Sequence, residues 1–368
     1  MTETVEQSYT RITTLMHQAV DREASDLHLV PGHSATLRVH GRLLSVGDEP
    51  LNSVEVRHMV ESIVPEAVRV RLDSQKNLDC SIALSHEGQD RRFRANVFYS
   101  QGEMCVCLRV VPVEIPTFDW MGFPQALAER LVHLTNGLVI ITGVTGSGKT
   151  TTLAALVNVL NREGASRIIT VEEPVEYLHA RVSSTMITQR EVGRDVDSFY
   201  DGLKYGLRQD PDVIQVGEIR DRETARMALS AAETGHLILT TMHTKDAKGA
   251  VTRFVDLFPH EAADDVRVQL SLSLRAVISQ HLLPAAGAGD KRVLALEVMF
   301  VNQPVRIGIR FGNIDSIESA IQTGKRDGMM TLDEHLGQLS KSGRISHETA
   351  LRFAKDPDAL RPVASKRK

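Results

Sequence analysis

Residues 138–164 read LVIITGVTGSGKTTTLAALVNVLNREG, and no other stretch of the chain restricts the fold so strongly. Leu138, Val139, Ile140, Ile141 and Thr142 form an apolar, β-branched run that leads directly into Gly143-Val144-Thr145-Gly146-Ser147-Gly148-Lys149-Thr150. Leu153, Leu156, Val157 and Leu160 follow at helical spacing, so the segment reads strand, phosphate loop, helix. Glycines at 143, 146 and 148 let the backbone turn so that successive N–H groups face a triphosphate, and the helix N-terminus adds its dipole. Lys149 then supplies a point charge to the β and γ phosphates, and Thr150 offers a hydroxyl to Mg²⁺. Gly143, Thr145, Gly146, Ser147, Gly148, Lys149, Thr150 and Thr151 are therefore the expected nucleotide-binding set. Gly164 stops the helix. The plain alternative is an ordinary glycine turn between a strand and a helix.

At 368 residues the chain has room for two domains, each with a core of its own. Its 42% hydrophobic and 24% charged residues place it among globular chains rather than disordered ones. A net charge of −4 gives no general attraction to nucleic acid or anionic lipid. No apolar run approaches the roughly 20 residues that span a bilayer. The start, MTETVEQSYT, lacks both the basic end and the apolar core of a secretory signal, so a cytoplasmic location is expected. Cys80, Cys105 and Cys107 contain no C-x-x-C pair, which argues against a disulfide framework and against a four-cysteine zinc site. Cys105 and Cys107 alternate along a strand pattern and read as free thiols.

Ile12, Leu15, Met16, Ala19 and Val20 predict an amphipathic opening helix, and residues 24–30 and 36–43 then alternate as strands around turns at Pro31-Gly32 and Gly41. A helix over 54–72 is interrupted near Pro65, and residues 78–84, 92–99 and 104–111 read as three more strands. Pro112 and Pro116 bracket an extended segment, which sets a boundary. The expected division is an α+β domain at 1–112, a hinge at 113–120 and an α/β domain at 121–368. Beyond the hinge, strand patterns at 138–142, 167–171, 213–216, 237–241 and 293–300 alternate with helix patterns at 150–162, 198–207, 222–234 and 262–281. That alternation predicts a mostly parallel sheet with helices on both faces and ligands at the carboxyl ends of its strands. A small-residue loop at 285–289 and a basic tail at 366–368 complete the chain.

Four groups of residues suit chemistry beside a phosphate loop. The strand ending Val216-Gly217-Glu218 places a carboxylate where Mg²⁺ or an attacking water is oriented, so Glu218 joins Thr150 as a metal ligand. Glu172, Glu173 and Glu176 cluster around Pro174, where carboxylates repel one another unless a cation compensates them. Glu176 is the expected general base, the alternative being a solvated turn. His243 closes the 237–241 strand at the position of a γ-phosphate sensor, while His236 opens it; a structural role competes for both. Arg94 and Arg109 lie on neighbouring strands of the first domain, and Arg190 and Arg194 in a polar segment. Arginine at a transferring phosphoryl group raises the rate by about 10³ to 10⁵; an exposed arginine is otherwise simply a soluble face.

With these residues in place the chain resembles the type IV pilus twitching-motility ATPases, the PilT/PilU branch of the secretion ATPases. The resemblance is carried by SDLHL at 25–29, RVHGRL at 38–43, RRFRANVF at 91–98, GVTGSGKTTT at 143–152, VEEPVEYLH at 171–179, QREVGRD at 189–195, LRQDPDVIQVGEIRD at 207–221, AAETGHLILTTMHT at 231–244 and AIQTGKRDGMMTLDEHL at 320–336. It implies a RecA-like core with a smaller, PAS-like N-terminal domain. It places Lys149 and Thr150 in the Walker A loop, Glu172 to Glu176 in the Asp box, with Glu176 activating water, Glu218 as the Walker B carboxylate, and His236 and His243 in the His box. Arg94, Arg109, Arg190 and Arg194 match arginines that close over nucleotide between domains. The resemblance further implies a homo-hexamer that hydrolyses ATP with Mg²⁺, sits at the inner membrane through a pilus platform protein, and works beside a paralogous retraction ATPase.

The chain departs from that pattern at two places. Glu173 replaces the family's usual aspartate. Across Pro304-Val305-Arg306-Ile307-Gly308-Ile309-Arg310-Phe311 the family's retraction motif, Ala-Ile-Arg-Asn-Leu-Ile-Arg-Glu, keeps its two arginines on one helical face but loses its leucine to Gly308 and its glutamate to Phe311. Gly308 is expected to weaken a helix there by about 1 kcal/mol. The reading is an ATP-driven motor of pilus disassembly. Its alternatives are an accessory PilU-like ATPase, a related pilus or secretion assembly ATPase, a nucleic-acid translocase with a basic channel, and a scaffold that binds nucleotide without hydrolysing it.

Overall fold

A computed structural model describes residues 5–86, 88–111, 114–182, 184–287 and 292–360. Pro112 and Val113 of the expected hinge, the end of the 285–289 loop and the 366–368 tail lie outside the described residues. Two units emerge: Met1–Glu114 with Glu172–Leu178 and Arg190–Ser198, and Ile115–Val171 with His179–Gln189 and Phe199–Lys368. The division thus falls close to the prolines, but two later segments group with the N-terminal residues, which a contiguous reading does not foresee.

The first unit is an antiparallel sheet in the order β3-β2-β1-β6-β5-β4, formed by β1 (Asp26–Leu29), β2 (Ala35–Val39), β3 (Arg42–Val46), β4 (Asn77–His86), β5 (Gln89–Ser100) and β6 (Glu103–Val111). Helix Val5–Asp21 contributes Ile12, Leu15, Met16 and Ala19 to its core, and helix Ser53–Ile63 contributes Val56, Met59 and Val60. Asn52 caps the latter in a reciprocal capping box with Glu55. The interruption expected near Pro65 is real, because a second helix, Glu66–Gln75, begins after that proline. Along β5, Phe93, Ala95 and Val97 are buried while Arg92, Arg94 and Asn96 occupy the other face. The pleat alone therefore sends both arginines to the side away from the core.

The second sheet runs β13-β12-β7-β11-β10-β8-β9, from β7 (Gly137–Thr142), β8 (Arg167–Glu172), β9 (Met186–Glu191), β10 (Val213–Val216), β11 (Leu237–Met242), β12 (Leu274–Pro284) and β13 (Arg292–Phe300). β12, β7, β11, β10 and β8 are parallel and β13 is antiparallel. All residues of β7, β10 and β11 are buried, as a sheet covered on both faces requires. Helices Lys149–Glu163 and Arg222–Glu233 pack on β7 and β11, and Phe199–Gly206 on β10. Leu332, Leu336, Leu339 and Ala350 of the C-terminal helices and Ile345 between them form a smaller core with Leu283, Val293 and Ala295.

One expected helix is wrong in its second half. Residues 262–281 are helical only as far as Ser273, and the chain continues as β12. Val266, Leu270, Leu274 and Ile278 keep a four-residue spacing that imitates one helix face. Ala276, Val277 and Ile278, however, are three adjacent residues with no exposure, inserted between β7 and β13. Consecutive burial on all sides is the mark of an interior strand. The cysteines are free thiols, with Cys80 and Cys105 buried and Cys107 half-buried.

Candidate active site

β7 delivers the chain into a loop whose glycines all have positive φ: 151° at Gly143, 78° at Gly146 and 89° at Gly148. At Gly143 a Cβ would lie 2.5 Å from both the Gln280 carbonyl and Ser147 Oγ, so no side chain fits there. Lys149 opens the helix and is buried, its Nζ donating to the carbonyls of Gly143 at 2.9 Å and Val144 at 3.1 Å. Burial pulls this ammonium below its ordinary pKa, and the Glu218 carboxylate acts against that pull. Ser147 Oγ is buried with no hydrogen-bond partner. Thr150 and Thr151 are half-buried at the helix start, and Thr145 is exposed. An unsatisfied hydroxyl, a lysine resting on carbonyls it can leave, and a helix N-terminus together fit a phosphate chain.

Glu218 follows β10 and His243 follows β11. His243 Nε2 lies 3.1 Å from Glu218 Oε2, while Arg220 Nη1 donates to Glu218 Oε1 at 2.9 Å. The loop between is fixed by Thr241 Oγ1 donating to the Gly217 carbonyl at 2.7 Å and by Ile219 N–H donating to the Thr241 carbonyl at 3.1 Å. His236 is at the other end of β11, its Nδ1 3.0 Å from the Ala231 carbonyl and 3.2 Å from Thr234 Oγ1. The structural role therefore takes His236, and only His243 joins the carboxylate. Among the described residues no cluster of three or more His, Cys, Asp or Glu is arranged around a metal. Mg²⁺ typically takes one or two protein oxygens and completes its shell with phosphates and water, which suits Thr150 and Glu218.

The remaining expected residues belong to the first unit. Arg94 and Arg109 stand directly opposite one another on β5 and β6. Arg94 pairs with Glu176 at 3.4 Å and with Asp79 at 3.6 Å, so the cation demanded by the acidic cluster is present. Arg109 Nε donates to Asp26 Oδ1 at 2.9 Å, and that hydrogen bond raises its pKa further. Burial pushes the Asp26 carboxyl upward, but hydrogen bonds from Ser25 and Arg109 outweigh it and hold the group below its ordinary value. Arg190 reaches the Asp195 carbonyl at 3.5 Å through Nη2, while its Nη1 is buried without a partner. Arg194 is exposed. Glu172 ends β8 and is buried, its carbonyl accepting from Val192 N–H at 2.9 Å, and a cis bond joins Glu173 to Pro174.

Two residues that sequence reasoning passed over tie this unit together. Glu191 is buried and accepts from Ser81 Oγ at 2.6 Å, from Ser81 N–H at 3.3 Å and from Val175 N–H at 3.2 Å. Arg92 lies 3.7 Å from the same carboxylate, and burial, the largest influence on it, lowers the pKa of its guanidinium. Glu191 thus joins β4, β5 and the acidic segment in one knot, which explains why 172–178 and 190–198 group with the N-terminal residues. The signal was present in the alternation of β5, which puts Arg92 on the face of Arg94.

The sequence matches the type II/IV secretion system protein family over residues 3–347. It is 40% identical over 347 residues to the type IV pilus retraction ATPase PilT of Pseudomonas aeruginosa, covering 94% of this chain and 99% of that protein. Against the type IV pilus ATPase PilU of the same organism it is 37% identical over 348 residues, covering 94% and 89%. A crystal structure of the pilus retraction motor PilT with bound ADP superposes with a TM-score of 0.84 at 39% identity, covering 95% of this chain and 98% of that one. The chain belongs to the type II/IV secretion system protein family and, within it, to the branch of the PilT and PilU pilus retraction ATPases.

Proposed function

We propose that this protein hydrolyses ATP and couples the reaction to retraction of a type IV pilus, acting as a hexamer on the cytoplasmic side of the inner membrane through a platform protein. The phosphate loop carries the proposal: Ser147 Oγ is buried and unsatisfied beside a lysine held only by backbone carbonyls. The loop amides and Lys149 bind the β and γ phosphates, and Thr150 and Glu218 hold Mg²⁺. Mg²⁺ bound there offsets phosphate charge. Glu176 takes the proton of the attacking water, and His243, fixed by Glu218, reads the γ-phosphate. Arg94, Arg109, Arg190 and Arg194 are the cations available to the transferring group, at the cost of their present partners. No helix among the described residues is long and apolar enough to cross a membrane.

Phosphate release by the purified protein tests this reading. Lys149→Ala is expected to lower turnover by at least about 10²- to 10³-fold, the loss typical of removing one charge-stabilising donor. Near-normal turnover in that variant refutes the site.

A further inference from the structure

Thr142 on β7, Ser279 on β12 and Glu297 on β13 stand in one register row across the sheet. All three are buried. Each holds one backbone position of the segment that follows His243. Thr142 Oγ1 accepts from Thr244 N–H at 2.9 Å, Ser279 Oγ donates to the Lys245 carbonyl at 2.9 Å, and Glu297 Oε1 accepts from Ala247 N–H at 2.7 Å. Thr142 is the residue before Gly143, and Thr244 the residue after His243. The row therefore clamps the loop of the histidine to the strand that carries the phosphate loop.

Two of these grips are neutral, but the third is a buried carboxylate, which requires a counter-charge to remain ionised. Lys355 supplies it from the C-terminal region, with Nζ 2.6 Å from Glu297 Oε2 and 3.3 Å from Asp246 Oδ2. Asp246 in turn caps helix Ala247–Val255 through Gly249 N–H at 2.7 Å. The lysine is itself anchored, because the N–H groups of Lys355 and Asp356 each donate to Asp333 at 2.8 Å. Of the other charges nearby, Lys248 is committed to Glu318 at 2.5 Å. His281 sits 3.1 Å from the Lys245 carbonyl, and burial lowers its pKa, which favours the neutral ring. Lys355 is the cation placed on Glu297.

We propose that Lys355 is a positioning residue for ATP hydrolysis: as counter-ion of Glu297 it keeps residues 244–247, and through them His243, in register with the phosphate loop. The inference rests on the ATPase reading above. A simple C-terminal staple would affect stability alone, whereas a positioning role changes kcat and leaves KM for ATP in place. Steady-state phosphate release by the full chain separates the two. Lys355→Met is expected to lower kcat about tenfold, in line with small displacements remote from the reacting atoms, with KM within about twofold of wild type. Glu297→Gln/Lys355→Met keeps an acceptor for Ala247 N–H without a buried charge, and is expected to recover kcat to within about threefold of wild type. Unchanged kcat in Lys355→Met overturns the proposal, as does a double variant that stays slow or fails to fold. A wild-type protein that releases no phosphate instead refutes the ATPase reading itself, and the proposal with it.

Discussion

In the phosphate-loop unit Lys149 rests on two backbone carbonyls, whereas in the other unit Arg92, Arg94 and Arg109 each rest on a carboxylate. A lysine held by neutral dipoles keeps its full charge available to an incoming phosphate. An arginine already paired must exchange one anion for another. For Arg94 that exchange costs little, because its pairs with Glu176 and Asp79 are partly exposed and such pairs contribute only about 0–1 kcal/mol, whereas Arg109 would leave the buried Asp26 carboxylate behind. Arg92 differs, since its partner Glu191 is buried and its own side chain is only 16% exposed. The comparison teaches that charge in the phosphate-loop unit is set for chemistry, while in the first unit part of it is committed to holding the fold.

The largest effect expected from this contrast is on turnover. Glu218 is a quarter exposed and its hydrogen-bonded partners Arg220 and His243 are open to solvent, so neutralising it leaves neither of them as a buried unpaired charge. Glu218→Gln is expected to retain nucleotide binding and melting temperature while hydrolysis falls by about 10²- to 10³-fold, the loss typical of removing one group that stabilises developing charge. Glu176→Gln is expected to behave likewise, since Arg94 retains Asp79. Parallel nucleotide-binding, phosphate-release and thermal-melting measurements check both. If both variants kept full rates, the acid assignments would be wrong.

Glu191→Ala is the opposite case. It removes a carboxylate that receives two N–H groups and a hydroxyl and leaves the half-buried Arg92 guanidinium without its anion, holding only Ser81 Oγ. Breaking a buried pair in this way costs about 3–5 kcal/mol. A calorimetric scan is expected to show the first unit melting well below its wild-type temperature. A variant as stable as wild type would show that this knot does not hold the unit together, and the contrast between the two regions would fail.

What was legible in the sequence follows the same division. Strand, loop and helix at 137–163 declare themselves because each backbone requirement maps to a residue type: positive φ to glycine, the helix start to Lys149 and Thr150, the buried strand to a continuous apolar run. The placement of Glu218 and His243 just beyond strand ends was legible because strand ends are readable from hydrophobic runs. The Glu191 knot was not, because its members lie far apart in sequence and a lone carboxylate between two arginines looks like a solvated turn. β12 was misread for a related reason: its four-residue spacing satisfies a helix until its neighbours on both sides are known. The sequence already separates His243, at the carboxyl end of its strand, from His236 at the opposite end, and the hydrogen-bond partners agree with that separation.

The smallest expected effect concerns Gly308, which helix propensity alone marks as a defect of about 1 kcal/mol. Helix Gln303–Arg310 nevertheless forms, started by Pro304 and capped by the Asn302 side chain, and Gly308 is buried within it. A Cβ at that position would lie 2.6 Å from Ser316 Oγ, 2.9 Å from Ile317 Cγ1 and 3.2 Å from the Asn313 carbonyl. The serine can rotate away, but the backbone carbonyl cannot, so the glycine permits the following helix, Ile314–Thr323, to approach. Restoring a side chain therefore sets a propensity gain of about 1 kcal/mol against an overpacking cost of about 1–3 kcal/mol. Gly308→Ala is expected to lower the melting temperature by about 2–4 °C, the shift that roughly 1 kcal/mol produces in a domain of this size. A higher melting temperature in Gly308→Ala would mean that the two helices can part at no cost, and that the departure from the family motif is a local weakness rather than a packing requirement.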